Sequence, residues 1–278
     1  MTAAVREGLA GTVDRAPHKR VVSRAQWRLQ GARLLLLAAL LLAWHLMSVY
    51  LVDPFWISSP TAVLDRLSGW IFSGTLYGAL VATVYATIVG FVLGGIAGAA
   101  LGFVLGRSER LARLLDPFIA AIYALPKVAL APLFILWFGL GITSKIMLSA
   151  VLVLFLVFYN TFAGVRSVDR DLVNTLRLFG GSRIQVLSLV VIPSASRWVF
   201  AGFRIAAPYA LAGAVVGEMI ASNQGLGYLL RAASGNFDTA GTFASLLVIM
   251  LIASLINVTI SAAERRATRW ERQTVGSL

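Results

Sequence analysis

A chain of 278 residues that is 59% hydrophobic and 13% charged cannot clothe itself in a water-facing surface, since a soluble domain carries about 45–50% apolar and about 25% charged residues. The absence of cysteine excludes disulfides, thiolate zinc sites and iron–sulfur clusters, and His18 and His45 are too few for a histidine-rich centre, so no metal and no cofactor is expected. The formal charge of +12 could suggest nucleic acid, but the basic residues bracket long apolar runs, which is the pattern of a chain that crosses a lipid bilayer.

In chain order, residues 1–33 form a basic segment. Six apolar stretches follow at 34–52, 77–106, 117–140, 146–165, 198–221 and 242–262. Each is long enough to cross a hydrocarbon core of about 30 Å as a helix rising about 1.5 Å per residue. They are continuously apolar instead of alternating, so helices are indicated and a barrel is not. The predicted fold is an all-α polytopic membrane protein with six transmembrane helices over 34–262 and a polar tail at 263–278.

Orientation follows from the cytoplasmic excess of Lys and Arg. Nineteen of these residues fall on the side that holds both termini, three (Arg66, Lys145, Arg231) fall opposite, and Lys127 and Arg204 lie within spans. Both termini are therefore expected in the cytoplasm. The first span has full length and no small-residue cleavage site behind it, so it reads as a retained helix and not a cleaved signal.

Between the first two spans, Ser59 and Pro60 have the look of an N-cap and first helical position, followed by Val63, Leu64, Leu67, Trp70 and Ile71 on one face. This predicts an amphipathic helix along the outer interface. The second span repeats glycine every fourth residue, at Gly90, Gly94, Gly98, Gly102 and Gly106. Positions four apart share a face, and glycine admits another backbone closely, so the stripe predicts tight helix packing.

The third span carries Pro126 and Pro132, which disfavour a straight helix, with Lys127 between them near the expected midplane. Lys127 either offers positive potential to a passing solute or binds carbonyls freed by the proline kinks. In the fifth span Glu218 reads either as a structural carboxylate near the outer end or as a group that binds an ion or helps form an outer gate. Tyr123, Lys127, Asn160, Thr161 and Glu218 are the candidates for a translocation path.

The loop at 166–197 predicts a short helix over 171–179, a break at Gly180 and Gly181, a second helix capped by Ser182, and a stop at Pro193. With Arg177 and Arg183 it has the form of a docking surface. One anchored loop with so few basic residues does not fit a DNA-binding helix-turn-helix, so no nucleic acid partner is expected.

NTLRLFGGSRIQVLSLVVIP resembles the cytoplasmic coupling motif of permease subunits of binding-protein-dependent ABC importers. The motif glycine falls on Gly180, its closing positions on Val190, Ile192 and Pro193, and its opening triplet on Asn174, Thr175 and Leu176, where Asn174 stands in place of the family's frequent carboxylate. SSPTAVLDRL, the glycine-rich span, DPFIAAIYALPKVALAPLFILWFGLG, GFRIAAPYALAGAVVGEMIAS and QGLGYLL look like the nitrate, sulfonate, taurine and thiamine-precursor branch of that family. The resemblance implies a multi-pass bacterial inner-membrane permease working by alternating access, with a second permease copy in a homodimer, two ABC ATPase subunits on the coupling loop, and an extracytoplasmic solute-binding protein. It also implies a small polar or anionic nutrient as cargo.

No GxxxxGK[ST] phosphate loop occurs in the chain, and no catalytic triad or carboxylate pair is recognisable, so the chain is not expected to be an enzyme and ATP would be hydrolysed by a separate subunit. An ATPase-independent secondary transporter or channel is the competing class. It calls for inverted repeats and intramembrane acids, of which only Glu218 qualifies.

Overall fold

The structure is a computed structural model and describes residues 24–267; the expectations for residues 1–23 and 268–278 lie outside the described residues. Every regular element among the described residues is helical. The chain divides into two compact units, 1–51 and 52–278. The first contains α1 (Arg24–Tyr50), an apolar helix of 27 residues.

The second unit begins with α2 (Pro54–Ile57) and α3 (Pro60–Phe72), continues through α4 (Thr75–Gly106), α5 (Glu109–Ala124), α6 (Ala131–Phe138), α7 (Ile142–Arg166), α8 (Arg170–Leu178), α9 (Arg183–Val186) and α10 (Ile192–Ala221), and closes with α11 (Leu226–Gly235) and α12 (Thr239–Ala267). Helices α1, α4, α7, α10 and α12 are each long and apolar enough to cross a membrane. The pair formed by α5 and the 127–138 segment is apolar enough to join them as a broken span or a re-entrant loop, bent by 82°.

The break falls at Pro126. Leu125 before it is extended, with φ −64° and ψ 130°, as the ring of a following proline demands. Pro132 sits in the first turn of α6, where a missing N–H leaves no partner unpaired, so it does not bend the chain. Pro193 does not end the second loop helix as expected. It lies in the first turn of α10, and a π-helical segment at Leu187–Val191 joins α9 to α10. The proline nitrogen cannot donate to the carbonyl one turn back, and widening that turn lets the chain stay helical through the gap. The apolar helical run consequently extends over Arg183–Ala221.

Helix α7 is the axis of this unit, packed between α4 and α10. The glycine stripe of α4 lies along it: a Cβ on Gly98 would stand 2.5 Å from the Leu154 carbonyl oxygen, and one on Gly102 2.7 Å from that of Phe158. On the other side α10 presents Ala206, Ala207, Ala210 and Ala214, all buried, and Ser149 of α7 donates its hydroxyl to the Ala210 carbonyl at 2.9 Å. Where lipid removes any hydrophobic drive between helices, close backbone approach and interhelical hydrogen bonds hold the bundle.

The outer helix α3 is capped by Ser59, whose hydroxyl accepts from the Ala62 N–H. Its apolar residues divide. Val63 is buried, and Leu67 and Trp70 pack on a cluster of Leu76, Ala79, Leu226, Leu229 and Val248, while Leu64 and Ile71 stay exposed. Arg66 forms an ion pair with Asp238, which also accepts from the Gly241 N–H in the first turn of α12, so α3 is tied to α12 as well as packed on it.

Candidate functional site

The loop between α7 and α10 forms a projecting elbow. Asp169 caps α8 by accepting from the Asp171 N–H. At the far end Gly180 takes φ +79°, while the Gly180 N–H donates to the Arg177 carbonyl and the Gly181 N–H to the Leu176 carbonyl, both at 2.9 Å. This pair of bonds is the glycine-terminated helix stop, and it turns the chain sharply into α9. Ser182 and Gln185 then cap each other's backbone at the start of α9, which satisfies two orphan donors reciprocally.

The elbow therefore has its own rigid turn and carries apolar side chains on its outer surface. Leu178 is 88%, Phe179 85% and Ile184 77% exposed. Asn174, Thr175, Arg177, Arg183 and Gly180 are exposed around them, and Leu176 and Pro193 are half-buried. No other described part of this chain covers that apolar tip. Burying a side chain of this size is worth about 1.5–3 kcal/mol, so three together provide a strong drive for association.

Behind the tip, Arg170 at the start of α8 pairs with Glu109 of α5 at 3.1 Å, and Arg166 reaches Asp116 at 3.9 Å. The Arg170 guanidinium, through its hydrogen bond and charge, holds the Glu109 carboxyl below the usual carboxylate value. A lowered value means that the contact is present at neutral pH and is lost only as pH falls through that value.

Of the candidate path residues, Lys127 and Tyr123 lie together, and Asn160, Thr161 and Glu218 each make contacts of their own. Lys127 donates to the carbonyls of Tyr123 at 2.6 Å and Leu125 at 3.3 Å, and its ammonium stands 4.7 Å from the Tyr123 ring centre and 5.3 Å from that of Phe155. The lysine thus caps the carbonyls that the Pro126 break leaves open. Tyr123 is exposed beside it and meets Tyr159 ring to ring at 5.0 Å. Asn160 is half-buried and bonds the Leu156 carbonyl within its own helix. Thr161 is fully buried against Gly102 in the α4–α7 interface.

Glu218 is enclosed, at 1% exposure. The Thr83 hydroxyl lies 2.8 and 2.9 Å from its two oxygens, and the Gly227 N–H donates to it at 2.8 Å. Thr83 accepts in turn from the Leu226 N–H at 2.8 Å. The carboxylate joins α10 to α4 and to the start of α11, and faces no open groove. Lys145, expected in an outer loop, sits in the first turn of α7 because that helix begins at Ile142; it is 4% exposed and interacts electrostatically with Glu218. Thr83, Lys145 and Gly227 were not apparent as partners of Glu218, and the only sequence signal was the presence of polar side chains in otherwise apolar spans.

The family model for the binding-protein-dependent transport system inner membrane component matches residues 90–272. The riboflavin transport system permease protein RibX of Chloroflexus aurantiacus is 38% identical over 259 residues, covering 92% of this chain and 96% of that protein. The taurine transport system permease protein TauC of Escherichia coli is 30% identical, over 82% of this chain and 84% of that protein. Among solved structures, an amino acid ABC transporter crystallised with histidines superimposes with a TM-score of 0.59 at 17% identity, covering 73% of this chain and 98% of that one. An inward-facing MetNI methionine ABC transporter gives 0.56 at 16% identity, covering 71% and 96%. Those two likenesses are of fold.

Proposed function

Because this chain belongs to the family of binding-protein-dependent transport system inner membrane components, we propose that it is the permease subunit of an ATP-driven importer for a small polar or anionic nutrient. The observation that carries the reading is the rigid elbow with its uncovered apolar tip at Leu178, Phe179 and Ile184. A tip of that kind needs a seat, and the chain holds no phosphate loop with which to bind ATP itself.

The elbow seats in a separate ATPase subunit, one for each of two permease copies, with both termini and the elbow in the cytoplasm. Nucleotide-driven closure of the ATPases displaces the elbow, and the π-helical join carries the displacement into α10 and the spans packed on α7. Alternating access requires such a two-state element, biased by one ligand and read by another site. An extracytoplasmic binding protein delivers the solute. Relatives named for riboflavin, formylaminopyrimidine, taurine and aliphatic sulfonates support a small polar cargo as a class.

Replacing Phe179 with Ser removes the largest apolar group of the tip and leaves the Gly180 turn intact. The ATPase should then bind the permease roughly tenfold more weakly, and uptake by cells should fall in step. Undiminished co-purification and uptake in Phe179→Ser would remove the tip from the docking surface.

A further inference from the structure

A basic recess lies where α4, α5 and α7 meet the elbow, behind the apolar tip. It encloses about 510 Å³ and is lined by five arginines, Arg107, Arg166, Arg170, Arg177 and Arg183, with Glu109 as the one carboxylate. Arg170 is taken up by Glu109 and Arg166 by Asp116. Among the described residues, no carboxylate lies within the 4.0 Å ion-pair distance of Arg107, Arg177 or Arg183. So many like charges around one cavity repel one another and raise its potential, and an anion from outside the chain relieves both.

Deeper along the same three helices is a second recess of about 220 Å³, whose walls include Leu101, Leu105, Phe118, Ile122 and Phe158. Its lining is almost wholly apolar. A basic cavity at the ends of the spans and an apolar one further along them match the two halves of an anionic phospholipid.

We infer that the basic recess binds a phosphate-bearing anion, held between arginines of the span ends and arginines of the elbow. Guanidinium forks match phosphate oxygens two at a time, which gives direction as well as charge. Two sources carry this chemistry, the headgroup of an anionic lipid of the inner leaflet and free inorganic phosphate, and the apolar recess favours the lipid. Leu187 and Val191 of the π-helical join also line the basic cavity, so the anion bridges the span ends to the hinge through which the elbow moves. The inference rests on the elbow facing the cytoplasm, as proposed above, and not on ATPase docking.

The test uses the assembled transporter in nanodiscs of phosphatidylcholine alone, of phosphatidylcholine with phosphatidylglycerol, and of phosphatidylcholine with millimolar inorganic phosphate. Modification by phenylglyoxal at Arg107 and Arg170 is mapped by mass spectrometry, and phosphatidylglycerol retained by the complex is counted. Phosphatidylglycerol should protect both arginines, and Arg107→Gln with Arg170→Gln should lower its retention roughly tenfold. Protection by phosphate in place of the lipid assigns the same site to the free anion. Glu109→Gln, which removes the competing carboxylate, should raise retention several-fold, and it decides the matter if the double variant fails to assemble. Absence of protection by either anion, or retention unchanged in Glu109→Gln and in an assembled double variant, overturns the inference. ATPase content of the same samples reports separately on docking.

Discussion

Glu218→Leu should destabilise the permease by several kcal/mol, about 1–3 kcal/mol for each of the two buried hydrogen-bond donors that it strands. The substitution leaves the Gly227 N–H without its acceptor and the Thr83 hydroxyl without its carboxylate, and it removes the electrostatic interaction with Lys145. Each stranded donor is an uncompensated polar group in a site that water does not reach. Thr83→Val should cost less, because Glu218 keeps the Gly227 N–H, and the two losses should add to less than their sum since they break one network. The measurement is the midpoint of thermal unfolding of the detergent-purified permease, by fluorescence-detected size exclusion. A Glu218→Leu permease as stable as the parent would mean that the carboxylate does not hold α4, α10 and α11 together.

Gly98→Leu ranks next. A Cβ there meets the Leu154 carbonyl oxygen and the Phe158 nitrogen at 2.5 and 3.0 Å, and these are backbone atoms of a long helix that cannot swing aside as a side chain can. Relief requires α4 and α7 to separate along their whole contact, which costs about 3 kcal/mol or more. The permease should fail to accumulate, or should lose its monodisperse size-exclusion peak. Gly78→Leu on the same helix is the control, because nothing lies within 4 Å of a Cβ at that glycine. Equal behaviour of the two variants would contradict the packing described for the stripe.

Much of this was legible in the sequence because its causes are local or periodic. Apolar length sets the spans, the four-residue glycine spacing gives α4 one smooth face, and the Ser182 cap and Gly180 turn appear where their residue types demand. Pro126 bends its span because Leu125 cannot stay helical before it, whereas Pro132 is harmless because a helix happens to start there, a distinction that spacing alone does not make. Pro193 is equally ambiguous in the sequence: proline forbids one hydrogen bond, but the wider turn at Leu187–Val191 absorbs the loss. The Glu218 network was hidden for a different reason. Thr83 and Glu218 are 135 positions apart, and a contact of that range leaves no periodic trace. The basic recess likewise exists only once α5 folds back to bring Glu109 to Arg170.

The central claim is that the elbow transmits force from an ATPase that this polypeptide does not contain. The chain has no cysteine, so Phe179→Cys places a single thiol at the elbow tip. In the assembled transporter that thiol should cross-link to the ATPase subunit through a short bifunctional reagent, with a yield that changes between ATP-bound and nucleotide-free states. Free reaction of the thiol with a soluble maleimide, without cross-linking in either state, would contradict the account.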